Sequence, residues 1–366
     1  MNASLSGQVL LPTGLEPAEL NFGELITGVT RTGNAAADRY ILPGFIDVHV
    51  HGGGGGDTMD GAEGVRQLAR FHAGHGTTTI LPTTITNPTE RIMAALLGVR
   101  EVALERRHDL PDIPGAHLEG PFISRNRLGA QPDFVLEPSD PFLQQVLDLD
   151  VVRVATIAPE LPGAIAAAQA FNAAGVRVSL GHSTDDGTFA SAVLQALPTA
   201  GFTHLFNAMG GIEGRRPGLA GTALASSTAY AELVYDLQHV HPDVMKLTLN
   251  ARPEHLLFVT DAMRASGLGD GPTELGGQPV TVEGGRALLG DGTLAGSILT
   301  MDQALRNALA SGVSWTQAAS LTSGAAARYL GLDDRAEIAA GKRADLVVLN
   351  SDLQVEEVWV LGRRLA

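Results

Sequence analysis

The sequence predicts an α/β fold: a (β/α)8 TIM-like barrel with a small β-domain assembled from both termini. Eight short β-rich runs alternate with Ala- and Leu-rich stretches whose apolar spacing fits helices. Ionisable residues end several of those runs, where a barrel carries its active site. Both chain ends hold further strand-like segments, and neither has enough apolar residues to build a core alone.

Before Gly44, SGQVLLPTG and GELITGVTRTG read as short strands with Gly-rich turns. The barrel runs follow: FIDVHV (Phe45 to Val50), TTTILPTT (Thr77 to Thr84), IPGAHLEG (Ile113 to Gly120) and VVRVATIAP (Val151 to Pro159). VRVSLGHS (Val176 to Ser183), FTHLFNAM (Phe202 to Met209), AELVYDLQ (Ala231 to Gln238) and HLLFVTDAM (His255 to Met263) complete the set. Between them, GAIAAAQAFNAAG and GTFASAVLQAL have helical spacing. From about Asp333 onward, ADLVVLNSDLQVEEVWVLGRRL supplies two more strands around a polar turn. Disordered tails fit poorly with runs such as LVVL and VWVL. The expected division is residues 1–43 and 333–366 as the two parts of the small β-domain, with 44–332 as the barrel.

Composition narrows the function. With 366 residues, 44% of them hydrophobic, the chain can bury a large core. A formal charge of −15 argues against nucleic acid or an anionic membrane as partner, since both require a broad basic patch. Any anionic substrate must be caught locally. The absence of cysteine removes disulfides and thiolate ligands, leaving histidine and carboxylates for a transition metal. MNASLSGQVLLPTGLEP lacks a basic start before an apolar core, and no apolar run reaches the length of a membrane span, so a cytoplasmic location is expected.

The stretch GFIDVHVHGGGGGD raises the chemistry. On a strand, His49 and His51 point to one face and both can reach one ion, although paired core or surface histidines have the same spacing. Glu119 ends the third run, His182 the fifth, His204 the sixth and Asp261 the eighth. Glu119, His182 and His204 form a donor set for a divalent ion with a position left for water, whose pKa such an ion lowers. Asp261 follows an apolar run, where a carboxylate must be paired or working; a helix N-cap is the simpler alternative to a general base.

These segments, with HLEGPF and the closing AGKRADLVVLN, resemble the amidohydrolase superfamily of metal-dependent barrels over nearly the whole chain. Within it, SLGHS, THLFNAMGGIEGRRPGLAG, VTDAM and GTLAGSILTM resemble the branch that deacetylates phosphorylated N-acetyl amino sugars. The fourth run, VVRVATIAPE, has no lysine, and Lys246 and Lys342 are the only two in the chain. Carbamyl-lysine chemistry is thereby disfavoured, leaving Glu119 as the bridging or primary carboxylate.

The resemblance implies hydrolysis of N-acetylglucosamine 6-phosphate to glucosamine 6-phosphate and acetate. It implies Glu119, His182 and His204 as metal ligands, and Asp261 as the base that later protonates the leaving amine. Backbone at Asn207 and Ala208, with the side chains of Arg215 and His239, is implied to bind the phosphate. Arg215 would reach into the neighbouring subunit of a homodimer; a solvated loop pair with Arg216 is the plainer alternative. Ala130, Leu294, Ala295 and Gly296 match main-chain contacts to the sugar and its N-acetyl group. Because His49 and His51 are both present, one or two ions per subunit are expected, zinc foremost, with iron, cobalt and manganese suited to the same donors. The glycines are expected to let the loop pass close to the ion. Gln131 stands where some members carry a histidine near the sugar. A related N-acetylhexosamine phosphate as substrate, or a barrel retained as a non-catalytic scaffold, are the alternatives.

Overall fold

Phe45–Val50 is buried along its whole length, as a strand covered on both faces must be. The computed structural model describes residues 3–33, 38–105, 107–252 and 254–365. Thr77–Thr84, Ala116–Glu119, Val152–Ile157, Arg177–Leu180 and Gly201–Phe202 follow Phe45–Val50 in a parallel sheet ordered as in the sequence. Ala231–Val234 and Leu256–Val259 form a parallel pair. Leu205 N–H donates to the Glu232 carbonyl, and Asp261 N–H to that of His49, each at about 2.9 Å or less. These bonds join the pair to both edges of the sheet and close the barrel. The predicted runs have the right order, but most overrun. FTHLFNAM yields only Gly201–Phe202 as strand, because the chain turns at Thr203 to aim His204.

The helices cover the barrel through apolar stripes. Ala62–Ala73 buries Val65, Leu68, Ala69 and His72, and Thr89–Glu105 buries Ile92, Leu96, Val99 and Val102. Gly98 lets these two meet: a Cβ there would stand 2.6 Å from the backbone nitrogen of Ala62. GAIAAAQAFNAAG and GTFASAVLQAL form Ala164–Ala173 and Thr188–Ala196. Inside the barrel the filling is partly polar. Thr156 Oγ1 lies 2.8 Å from both His117 Nε2 and Thr203 Oγ1, and Thr203 donates to Ser179 Oγ at 2.7 Å. Those bonds satisfy groups whose burial would otherwise cost a few kcal/mol each.

Both termini meet in a seven-stranded sheet. The hairpin of Ala3–Leu11 and Gly14–Phe22 carries Ile26–Arg31 on one side and, on the other, Arg39–Pro43, which pairs with Leu346–Asn350. Val355–Val360 and Arg363–Arg364 finish the edge. Its core draws on both ends: Val9, Leu20, Phe22 and Ile41 from one, Leu346 and Val348 from the other. A three-stranded antiparallel sheet, Gly271–Leu275, Gln278–Glu283 and Arg286–Leu288, is inserted between the eighth barrel strand and helix Met301–Ala310. Among the described residues no helix is long and apolar enough to cross a membrane.

Candidate active site

At the carboxyl ends of the barrel strands, Glu119 Oε1 lies 3.1 Å from His182 Nε2 and 3.0 Å from His204 Nε2, and the two nitrogens are 3.0 Å apart. The first-strand histidines stand beside this group. His51 Nε2 is 3.2 Å from Glu119 Oε2 and 3.4 Å from Asp261 Oδ1; His49 Nε2 is 3.3 Å from His51 Nε2 and 3.6 Å from Asp261 Oδ1. Period-two alternation places His49 and His51 together, and the closing bond between the first and eighth strands brings Asp261 to them. His182, His204 and Asp261 have φ values of 48°, 30° and 49°. Left-handed backbone at three such non-glycine residues is strain of the kind that collects at functional sites.

The donor chemistry fits a cation. His182 Nδ1 donates to the Arg127 carbonyl at 2.8 Å, which leaves the Nε2 lone pair of the neutral ring facing a carboxylate oxygen. His49 is fixed the same way, its Nδ1 donating to Glu232 Oε2 at 2.8 Å. Acceptors facing acceptors require a proton or a metal ion between them. Burial pushes Glu119 up, yet the imidazoles of His49, His182 and His204 outweigh it and hold the carboxyl well below its usual range. Asp261 is likewise brought down to about 2, the charges of His49 and His51 overcoming desolvation. His51 is desolvated too, but Asp261 and Glu119 raise it to about 9. Among the described residues three buried groups have metal-ligand spacing: Glu119 with His182 and His204; His49 with His51 and Glu119; and His49 with His117 and Glu232. The last is spoken for, since His117 bonds through both ring nitrogens to Val48 and Thr156.

A pocket of about 420 Å³ opens above these atoms. His51, Glu119, His182, His204, Asp261, Ala130, Asn207, Ala208, His239, Leu294 and Gly296 all line it. Ala295 does not; it is fully buried, its N–H donating to Ala287. Asn207 N–H is engaged by the His204 carbonyl and the Ala130 carbonyl by Gln278 Nε2. Gly296 has φ 62°, and a Cβ there would stand 3.0 Å from the Asp261 carbonyl. Arg215 lies on an exposed loop outside this lining. The glycine loop approaches protein rather than the donor cluster: Gly52 and Gly55 donate to Ala262 and Arg264, and a Cβ at Gly52 would meet Arg264 N at 2.7 Å.

A model of the amidohydrolase family matches residues 40–365. The chain belongs to the amidohydrolase family. An N-acetylglucosamine-6-phosphate deacetylase from Bacillus subtilis (strain 168) is 41% identical over 333 residues, covering 88% of this chain and 83% of that one. An N-acetylgalactosamine-6-phosphate deacetylase from Escherichia coli O157:H7 is 37% identical, covering 88% and 87%. A mutant N-acetyl-D-glucosamine-6-phosphate deacetylase from Mycobacterium smegmatis, solved in complex with N-acetyl-D-glucosamine-6-phosphate, superposes with TM-score 0.92 at 35% identity, covering 100% of this chain and 99% of that one.

Glu232 and Asp47 join this amidohydrolase site without a motif to announce them, and Gln131 takes a role there beyond contact with the sugar. Glu232 bonds His49 Nδ1 and also accepts His204 N–H at 3.1 Å. Asp47, pushed up to about 7 by burial, takes Thr260 Oγ1 at 2.5 Å and so ties the first strand to the eighth. Gln131 accepts Thr86 N–H through Oε1, which fixes its amide so that Nε2 donates to Glu119 Oε2 at 2.5 Å. A carboxylate alternating with apolar residues is the one signal that marked Asp47 and Glu232. The inserted sheet adds Leu275 to the pocket wall; its Gly-Gly turns at Gly276 and Gly284 flag it as hairpins.

Proposed function

We propose that this amidohydrolase removes the acetyl group of N-acetylglucosamine 6-phosphate, giving glucosamine 6-phosphate and acetate. The observation that supports it most is the convergence of Glu119, His182 and His204 on one point, with Asp261 in the same pocket, in a chain this similar to sugar-phosphate deacetylases. Amidohydrolases are metal-dependent, and Glu119, His182 and His204 are the residues that would hold the principal ion. His49 and His51 would complete a second, weaker site or support the first. Zinc is the leading choice, since imidazole and carboxylate donors around an open position suit it. When bound, such an ion supplies an activated water and polarises the amide carbonyl.

The remaining steps belong to the chain. Asp261, ionised and 11% exposed at its side chain, is placed to take the proton released as water adds to the amide carbon. It then returns that proton to the nitrogen as the C–N bond breaks, so that the amine leaves neutral. Ala208 N–H and His239 would hold the phosphate, a local anion site in an acidic protein. Arg215, exposed and outside the lining of its own pocket, would complete the site of the partner in a homodimer. Residues 44–332 would form the catalytic barrel, flanked by the 1–43 and 333–366 parts of the small β-domain. The cytoplasm is the setting, where phosphorylated sugars are retained.

A second reading, the 4-epimeric N-acetylgalactosamine 6-phosphate, rests on the E. coli relative's name. Acetate release from both sugar phosphates decides between them, with a larger kcat/KM expected on the gluco isomer. His182→Ala, or removal of metal by a chelator, should abolish release from either. Full activity after verified metal removal would overturn the proposal.

A further inference from the structure

His239 stands on the loop after the seventh barrel strand, its side chain 5% exposed and one edge on the active pocket. Its Nδ1 lies 2.7 Å from Asp236 Oδ2. The other oxygen of Asp236 accepts the backbone N–H groups of Gln238 and His239, each at 2.9 Å. Leu237 between them has φ 64°, so the turn that Asp236 closes is left-handed at a non-glycine residue. From behind, Asn307 on helix Met301–Ala310 donates to the Tyr235 carbonyl at 2.9 Å and fixes the residue before the turn. One carboxylate thus uses both oxygens to set the position of a single imidazole.

The unused nitrogen carries the consequence. Among the described residues none takes a hydrogen bond from His239 Nε2, and the ring edge reaches the pocket also lined by Asn207 and Ala208. With Nδ1–H committed to Asp236, Nε2 can face the pocket as a donor only if the ring carries both protons. Burial works against that charged ring; Asp236, with Asp261 adding its field, outweighs burial and raises His239. Asp236 is itself lowered by His239.

We propose that Asp236 is a positioning residue for anion recognition: it holds His239 by Nδ1 and so presents Nε2–H, on a cationic ring, to the phosphate of the substrate. This rests on the reading of His239 as a phosphate ligand. Asp236 touches no substrate and acts through His239 alone.

Two substitutions separate this role from loop closure. Asp236→Asn keeps one acceptor oxygen for the N–H groups of the turn but removes the charge and puts an NH2 donor against Nδ1, which leaves a neutral ring with its proton on Nε2; Asp236→Ala removes both oxygens. The measurements are kcat and KM on N-acetylglucosamine 6-phosphate and the competitive inhibition constant of inorganic phosphate, on metal-loaded protein, with His239→Ala in parallel. Asp236→Asn should raise KM and the inhibition constant about tenfold, the difference between a charge-assisted and a neutral hydrogen bond, while kcat changes far less. Asp236→Ala should raise them at least as much. A fall in kcat at unchanged KM and unchanged inhibition constant in the Asn variant would overturn the proposal, whether or not the Ala variant folds. If His239→Ala raises KM and neither Asp236 variant does, the positioning role alone is wrong. If His239→Ala also leaves KM unchanged, the phosphate reading of His239 has failed.

Discussion

Glu232 Oε2 accepts the Nδ1–H of His49 at 2.8 Å, and the same oxygen accepts the backbone N–H of His204 at 3.1 Å. One buried carboxylate on the seventh strand therefore sets the tautomer of a first-strand histidine and steadies the turn that aims a sixth-strand one. A carboxylate behind a histidine in this way keeps its distal nitrogen free as a ligand.

Glu232→Gln tests that relationship. The amide can offer its NH2 to Nδ1, which would move the ring proton to Nε2 and turn it away from ligation. Metal content after dialysis should fall by no more than one equivalent per subunit, with the Glu119, His182 and His204 group retaining its ion. Metal affinity is expected to drop about 10–100-fold at the affected site. Metal content and affinity both equal to wild type would show that the Glu232 contact sets nothing at the site.

Arg215 carries the second prediction. It is exposed and outside the pocket lining, and the proposal gives it to the partner's site in a homodimer. Arg215→Ala should reduce the ratio of kcat/KM on phosphorylated to unphosphorylated N-acetylglucosamine by at least tenfold, the loss of one or more charge-assisted hydrogen bonds. Mixing Arg215→Ala with Asp261→Asn protein should then restore part of the activity, because some hybrid dimers contain one intact site. Proven subunit exchange without recovery would refute the shared site.

A stability prediction comes from residues outside the pocket lining. Asp302 bonds His75 Nδ1 at 3.2 Å and Arg306 at 2.9 Å, pinning helix Met301–Ala310 to the loop after Ala62–Ala73. Burial raises this carboxyl, but those partners, with Thr300, bring it down to about 2. A depressed carboxylate stabilises the fold above its unfolded pKa of about 4 and loses that contribution as pH falls towards its folded value. Asp302→Asn should therefore cost about 2 kcal/mol at neutral pH and about half as much at pH 3. Urea unfolding at the two pH values measures it; a loss that grows on acidification would have the wrong sign.

The barrel is legible because its strands are buried on both faces and so read as nearly continuous apolar runs, as in LLFV and, broken by Asp47 and His49, FIDVHV. The candidate site residues stand out for a related reason: His182, His204 and Asp261 interrupt such runs at their carboxyl ends. Strand ends do not, since FTHLFNAM and AELVYDLQ keep an apolar pattern through turns whose positive φ no composition announces. Glu232 and Asp47 are harder to read because each sits inside a strand, and only the barrel's curvature brings one beside His49 and the other against Thr260. Gln131 reads as a departure near the sugar, but its bond to Glu119 depends on Thr86, remote in sequence and adjacent in space.

Asp261 bears the central claim, and acetate release at matched metal content tests it most directly. Asp261→Asn keeps the shape of the side chain and removes the base, whose contribution is typically about 10²–10⁴-fold in rate. Wild-type protein should release acetate from N-acetylglucosamine 6-phosphate, and the variant should bind metal and sugar phosphate almost as well while turning over slower by at least that order. Metal-loaded wild-type protein that binds the sugar phosphate and releases no acetate, or an Asp261→Asn protein as fast as wild type, would contradict it.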